Sequence, residues 1–162
     1  EAAFGSNDSQ EQWNITREEL THVWEKLSTA RGKKVDQILM GSPHFSLEEC
    51  YQLADLVSGK HCDPSVRFLI TTNDLVYEQA NNEGLIAKLE KFGAQFSTNI
   101  CLCMFSDSIV PKKLYTLMTN SGKFAHYGPG LLDREVYFGS MEDCVQTAVT
   151  GQLNRSIPSW LV

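Results

Sequence analysis

A chain of 162 residues, 42% hydrophobic and 21% charged, has the size and composition of one globular domain with a real core. Its formal net charge of −6 argues against a nucleic-acid surface, which needs clustered Lys and Arg. No apolar run approaches the ~20 residues that span a bilayer. The chain begins Glu1-Ala2-Ala3-Phe4, with no secretory leader and no initiator Met, and reads as a piece of a longer cytoplasmic polypeptide.

Residues 1–15 read as a linker or disordered lead, polar and rich in small residues up to Gln12. The domain is expected over residues 16–162. Asn14-Ile15-Thr16 matches a glycosylation acceptor, but Thr16 reads better as a helix N-cap with Glu19 completing a capping box. Leu20, Val23, Trp24 and Leu27 then fall on one helical face up to about Ala30, and Arg31-Gly32-Lys33-Lys34 supplies the stop. Val35 to Met40 reads as a buried strand that ends in Gly41-Ser42-Pro43-His44. Ser46, with Glu49 three residues on, caps the next helix.

The same grammar repeats. Val66 to Ile70 is a strand closed by Thr71-Thr72-Asn73-Asp74, with a helix from about Leu75; Gly84 separates it from Leu85 to Leu89. Ala94 to Cys103 reads as extended, Leu114 to Met118 as a strand, and Val136 to Phe138 as the last strand. Ser140 caps a final helix that stops at Gly151. Alternating short apolar strands and helices predict a three-layer α/β/α domain with a mostly parallel sheet.

In such sheets, ligands bind beyond the carboxyl ends of the strands, at helix N-termini. Four segments lie there: Gly41 to His44, Thr71 to Asp74, Asn99 to Cys103, and Thr119 to Tyr127. The fourth carries more polar chemistry than capping needs. Asn120 and Ser121 can cap, Gly122 lets the backbone approach a ligand, Lys123 suits a carboxylate or phosphate, and His126 and Tyr127 are titratable. With a helix starting near Ser121, Lys123 and His126 project from neighbouring positions. Ser121-Gly122-Lys123 does not complete a Walker A loop, because residue 117 is Leu and residue 124 is Phe.

The five cysteines are Cys50, Cys62, Cys101, Cys103 and Cys144, an odd count that favours reduced thiols or metal ligands over disulfides. Cys101 and Cys103 would share one face of an extended strand, and one thiol near a strand end is a credible soft ligand for iron. Cys144 sits in a helix with Val145 and Ala148, where core packing competes with ligation.

Met118-Thr119-Asn120-Ser121-Gly122-Lys123-Phe124-Ala125-His126-Tyr127-Gly128-Pro129-Gly130 resembles the Thr-Asn-Ser-Gly-Lys-Tyr-Ala-His-Tyr signature of the aconitase X dehydratases. Gly41 to Glu49, Asn99 to Met104 and Phe138 to Cys144 resemble further segments of that family in the same order, so the likeness runs from about Thr16 to Trp160. The resemblance implies an aconitase-like fold and the C-terminal domain of the large portion of a hydro-lyase. It implies an iron–sulfur cluster or iron, an anionic small-molecule substrate, a missing N-terminal part of the large portion, and a swivelling small domain or subunit carrying the catalytic base. Cis-3-hydroxy-L-proline is the favoured substrate and mevalonate 5-phosphate the alternative. A non-catalytic α/β binding module on the same scaffold is the rival from another class, and a phosphate-binding Rossmann-like domain a third.

On this resemblance Cys101 would be the first metal ligand, with Cys103 and Cys144 after it. Lys123 and Ser121 would hold the anionic end of the substrate. His126 would orient or polarise it with His44 and Asn73, while Ser42, Asn120 and Tyr127 would line the site. Two residues depart from the family pattern. Asn99 replaces a common Asp, and Ser42 stands where some members carry Cys. The isolated chain is expected to be inactive.

Overall fold

The computed structural model of the protein describes residues 11–104 and 110–162, so the first part of the expected lead lies outside the described residues. In chain order the elements are α1 (Arg17–Lys26), β1 (Gln37–Met40), α2 (Leu47–Leu56), β2 (Arg67–Thr72), α3 (Asp74–Asn82), α4 (Leu85–Phe92), β3 (Ala94–Thr98), β4 (Thr116–Thr119), α5 (Gly122–Leu132), β5 (Glu135–Phe138) and α6 (Met141–Thr150). Short 3₁₀ turns occupy Leu102–Met104 and Ser159–Leu161. The five strands are all parallel, in the order β3-β2-β1-β4-β5.

Local chemistry explains the helix starts. Thr16 and Ser46 each accept the backbone N–H three residues on, while Glu19 and Glu49 reach back to the cap N–H, closing two capping boxes. Ser140 and Asp143 form a third. Asn73 and Ser121 cap α3 and α5 through their side-chain oxygens. Gly84 and Gly151 take the left-handed conformation at φ 75° and 69°, where Gly carries no Cβ penalty.

β1 buries every residue, as a central parallel strand must. Ile38, Met40, Phe68, Ile70 and Met118 face one layer, built from α2, α4 and α6 with Ala80 of α3. Leu39, Leu69, Leu117 and Val136 face the other, where Phe124 and Ala125 of α5 and Leu102 complete the core. The α/β/α expectation therefore holds.

Two local expectations change. The first helix ends at Lys26 rather than near Ala30, and only Trp24 of its apolar stripe is fully buried. The strand expected over Ala94 to Cys103 stops at Thr98. Asn99 then turns left-handed at φ 56°, and Leu102–Met104 is a 3₁₀ turn. Cys101 and Cys103 therefore do not share the face of an extended strand. The side chain of Cys103 lies outside the described residues.

Candidate functional site

The strand order reverses direction between β1 and β4, so their carboxyl ends form the topological switch point of the sheet. Leu39 pairs in register with Thr119, which brings Gly41-Ser42 beside Asn120-Ser121. The Ser121 hydroxyl donates to the Ser42 carbonyl oxygen at 3.1 Å and accepts the Phe124 N–H at 3.2 Å. The Thr119 hydroxyl oxygen accepts the Ser121 N–H at 3.1 Å. The cap of α5 and the loop after β1 are thus one hydrogen-bonded unit, with half-buried Asn120 beside it. Ser42 Oγ is buried and has no protein partner.

Thr71 and Thr72 hold that loop from β2, a role the sequence alone does not assign. The Thr71 hydroxyl donates to the Met40 and Gly41 carbonyl oxygens, and the Thr71 carbonyl accepts the Phe45 N–H at 2.8 Å. The Thr72 hydroxyl donates to the Phe45 carbonyl at 2.7 Å. Both threonines are fully buried. The signal for them is two polar residues closing an otherwise apolar strand. Gly41 has φ 88°, and a Cβ there would overlap the Thr71 carbonyl oxygen and meet Phe45 N at 2.9 Å. The Ser42–Pro43 peptide bond is cis.

Lys123 and Cys101 come together at this rim: the Lys123 ammonium donates to Cys101 Sγ at 3.6 Å. Cys101 is half-buried, and Ile100 and Leu102 on either side of it pack into the α5 layer. Asn99 lies two residues before it, and its amide donates to the Asp74 carboxylate while its carbonyl accepts the Asp74 N–H at 3.3 Å. A carboxylate at residue 99 would face that of Asp74, so the amide suits the position. Asn73 spends its side-chain oxygen on the Val76 N–H at 2.9 Å, and His44 is exposed on the loop after Pro43.

Three candidates, His126, Tyr127 and Cys144, stand elsewhere. His126 is exposed, its ring meets Tyr127 at 4.7 Å, and it lines a cleft against Val23, Lys26 and Leu27 at the C-terminal half of α1. No described contact joins it to the Lys123–Cys101 pair. Cys144 is buried in the opposite layer, among the side chains under α6. Burial, with the neighbouring Asp143 carboxylate, pushes its thiol far up. The sheet lies between it and the layer into which Ile100 and Leu102, beside Cys101, pack.

No group of three or more His, Cys, Asp or Glu side chains among the described residues could hold a metal ion. Cys101 brings one sulfur to the rim. The described residues do not by themselves fit an iron–sulfur cluster.

The carboxyl end of β5 is closed rather than open. The Arg155 guanidinium donates to the Phe138 carbonyl at 2.6 Å and the Trp24 carbonyl at 2.8 Å, and lies 5.2 Å from the Trp24 ring centroid. The open rim is therefore confined to the ends of β1, β2, β3 and β4.

The sequence model of the aconitase X third domain matches residues 35–150. The chain is 40% identical over 160 residues to a cis-3-hydroxy-L-proline dehydratase of Pseudomonas aeruginosa, covering 99% of this chain and 28% of that protein. It is 38% identical over 160 residues to a protein of the same name from Hypocrea jecorina, covering 98% of this chain and 27% of that one. The phosphomevalonate dehydratase large subunit of Methanosarcina mazei is 28% identical over 149 residues, covering 92% of this chain and 35% of that one. The crystal structure of holo-form Thermococcus kodakaraensis aconitase X superposes with a TM-score of 0.74 at 24% identity, over 87% of this chain and 35% of that chain, a likeness of fold. With the matched residues spanning β1 to α6 and the switch-point rim inside them, the chain belongs to the aconitase X family, as its third domain.

Proposed function

We propose that this domain is one wall of a hydro-lyase site, and that its share of the work is to anchor the anionic end of a small hydroxy acid. The observation that carries this is the placement of Ser121, the α5 N-terminus and Lys123 at the switch point, with the Lys123 ammonium against Cys101. Helix N-terminal N–H groups and an ammonium both favour a carboxylate or phosphate. Ser42 Oγ, buried and unpartnered, is available to the same ligand.

Dehydration of a β-hydroxy acid removes the proton α to the carboxylate and expels the neighbouring hydroxyl. Charge then spreads onto the carboxylate as the C–H bond breaks. Lys123 and the α5 N–H groups oppose that charge and hold the substrate in one orientation, with Asn120 at the side. Tyr127 and His126, outside the rim, would join the reaction only through whatever covers the α1 cleft. The base comes from elsewhere, for which a swivelling small domain or subunit and the upstream part of the large portion are the proposed partners. An iron or iron–sulfur centre of the kind the family resemblance implies would take Cys101 and donors beyond the described residues, Cys103 among the candidates, and would act as a Lewis acid on the departing hydroxyl.

Cis-3-hydroxy-L-proline is the proposed substrate, because the relatives bearing that name are 40% and 38% identical, against 28% for the phosphomevalonate dehydratase subunit. The odd count of five cysteines, which favours reduced thiols or metal ligands over disulfides, supports a reducing, cytoplasmic setting. No helix among the described residues is long and apolar enough to cross a membrane.

The test is a chimera in which this chain replaces the matched 160 residues of the Pseudomonas aeruginosa protein, assayed on cis-3-hydroxy-L-proline and on mevalonate 5-phosphate. Lys123→Met should lower kcat/KM on the preferred substrate by about 100-fold or more. Unchanged turnover in that variant would sink the anchoring role.

A further inference from the structure

The sheet has one closed edge and one open edge. At β5 the segment after α1 does the closing: the Thr29 and Ala30 N–H groups donate to the Val136 carbonyl, and the Thr29 and Ser28 hydroxyl oxygens accept the Val136 and Phe138 N–H groups at 3.0 Å. On the outer side of β3 no described segment pairs. The Asn99 N–H donates inward to the Thr72 carbonyl at 2.9 Å, and Thr72 stands opposite Thr98 in register. Pairing directions alternate along a parallel strand, so the N–H and C=O groups of Phe96 and Thr98 point outward. Such a row of main-chain groups is a template for another strand.

A groove of about 420 Å³ follows the same edge, with Phe96 and Thr98 of β3 on one side and Asp74, Tyr77 and Glu78 of α3 and Glu90 of α4 on the other. The rings of Tyr77 and Phe96, both half-buried, meet edge to face at 5.6 Å. Three carboxylates and no Lys or Arg stand among the described lining residues. Asp74 is engaged by the Asn99 amide, whereas Glu78 and Glu90 are exposed and make no described hydrogen bond or ion pair. In an added strand every second side chain faces the groove. An aromatic pair beside two unpaired carboxylates suits a guanidinium or an ammonium there. The charge also rejects a second copy of this chain, because antiparallel pairing of β3 with β3 would set the carboxylates of both grooves against each other. The described chain ends meet at α1, where Arg17 donates to the Val162 carbonyl at 3.1 Å, and α1 packs on β5 at the opposite edge.

We propose that the outer edge of β3 is a docking site for an extended basic segment of a separate protein. The segment adds a strand to the sheet and sets an Arg or Lys at every second position between Glu78, Glu90 and the Tyr77–Phe96 pair. Main-chain bonds to Phe96 and Thr98 supply the affinity, and the carboxylates choose the partner. The docking does not depend on the hydro-lyase reading, because the switch-point rim lies at β1 and β4.

The test titrates this chain with a fluorescein-labelled Arg-Val-Arg-Val-Arg-Val peptide and follows anisotropy. Saturable binding is expected, at least tenfold weaker for the Gln-Val-Gln-Val-Gln-Val peptide. N-methylation of one alternate set of peptide amides should weaken binding at least tenfold, and methylation of the other set should not, because only one set faces β3. The pair Glu78→Lys and Glu90→Lys should weaken it at least tenfold with unchanged circular dichroism. The pair Glu48→Lys and Glu142→Lys, exposed on α2 and α6, makes the same change in net charge and should not. On the unsubstituted chain, bound peptide should slow amide exchange at Phe96 and Thr98 several-fold and leave Ser97, which is bonded inward, as it was. No saturable binding, equal effects of the two methylation sets, equal effects of the two charge pairs, or unslowed exchange at Phe96 and Thr98 would each overturn the proposal. So would binding of arginine amide as tight as that of the peptide, or self-association of the chain through β3 in sedimentation.

Discussion

Ser121 and Ser42 join the two halves of the sheet at its switch point, the Ser121 hydroxyl donating across 3.1 Å to the Ser42 carbonyl while accepting the Phe124 N–H of its own helix. One hydroxyl thereby fixes the start of α5 and the loop after β1 together. The positions of Lys123 and Ser42 are coupled through that atom.

Replacing Ser121 separates its two duties. Ser121→Ala loses the cap and the cross-strand donor and should cost about 1–2 kcal/mol in urea unfolding. Ser121→Asp keeps a capping acceptor but cannot donate to Ser42, so its stability should recover while substrate affinity in the chimera does not. Full recovery of both would show that the Ser42 link does nothing for the rim.

Gly41→Ala should be far worse than an ordinary surface change. The residue sits at φ 88° with the Thr71 carbonyl where a Cβ would go, and Thr71 is held on both sides. A loss of about 2 kcal/mol or more is expected, read as a shifted denaturant midpoint with an unchanged slope.

Asp36 predicts an acid limb. Burial alone would raise its carboxyl, but the Lys34 ammonium at 2.6 Å and the N–H groups of Thr116 and Tyr115 at 3.0 Å outweigh that and hold it below its ordinary value. A carboxyl depressed on folding stabilises above its unfolded pKa of about 3.9, and that contribution fades as pH falls through the folded value. Asp36→Asn should therefore be less stable than wild type at pH 7, with the gap narrowing towards pH 3. A constant gap across that range would refute the assignment.

Thiol labelling of the native chain at pH 8 should modify Cys101 and spare Cys50 and Cys144. Burial pushes the Cys50 thiol up to about 11 and Cys144 further still, and both are inaccessible in the layer under α2 and α6. Rapid labelling of Cys144, counted by peptide mass mapping, would show that its thiol is reachable and refute its burial under α6.

The elements with local causes are legible in the sequence. Thr16, Ser46 and Ser140 announce their helices through residues three positions on, and the alternation of short apolar strands with helices gives the parallel sheet. The rim is legible as a place, because strand ends and helix caps coincide at Ser121 and Asn73. Its wiring is not. That Thr71 clamps Gly41, or that Lys123 turns to Cys101 while His126 turns to α1, depends on contacts between elements far apart in sequence. Cys144 shows the limit most plainly: its helix is obvious, but which side of the sheet the helix lies on decides whether the thiol can reach Cys101. The extended reading of Ala94 to Cys103 fails for a related reason, since Asn99 leaves the strand to meet Asp74.

The closure of β5 by Arg155 bears on the order in which the chain assembles. The last strand ends at Phe138, yet its carboxyl end and the Trp24 carbonyl wait for a side chain seventeen residues further on. During synthesis, β1, β4 and β5 can align and Ser28 and Thr29 can pair with the β5 edge before that residue leaves the ribosome, but the Phe138 and Trp24 carbonyls gain the guanidinium only once it does. Arg155 thus acts as a late-arriving latch, and a nascent chain stalled before it would hold α1 on β5 through Trp24, Ser28 and Thr29 but without the guanidinium bonds to the Phe138 and Trp24 carbonyls.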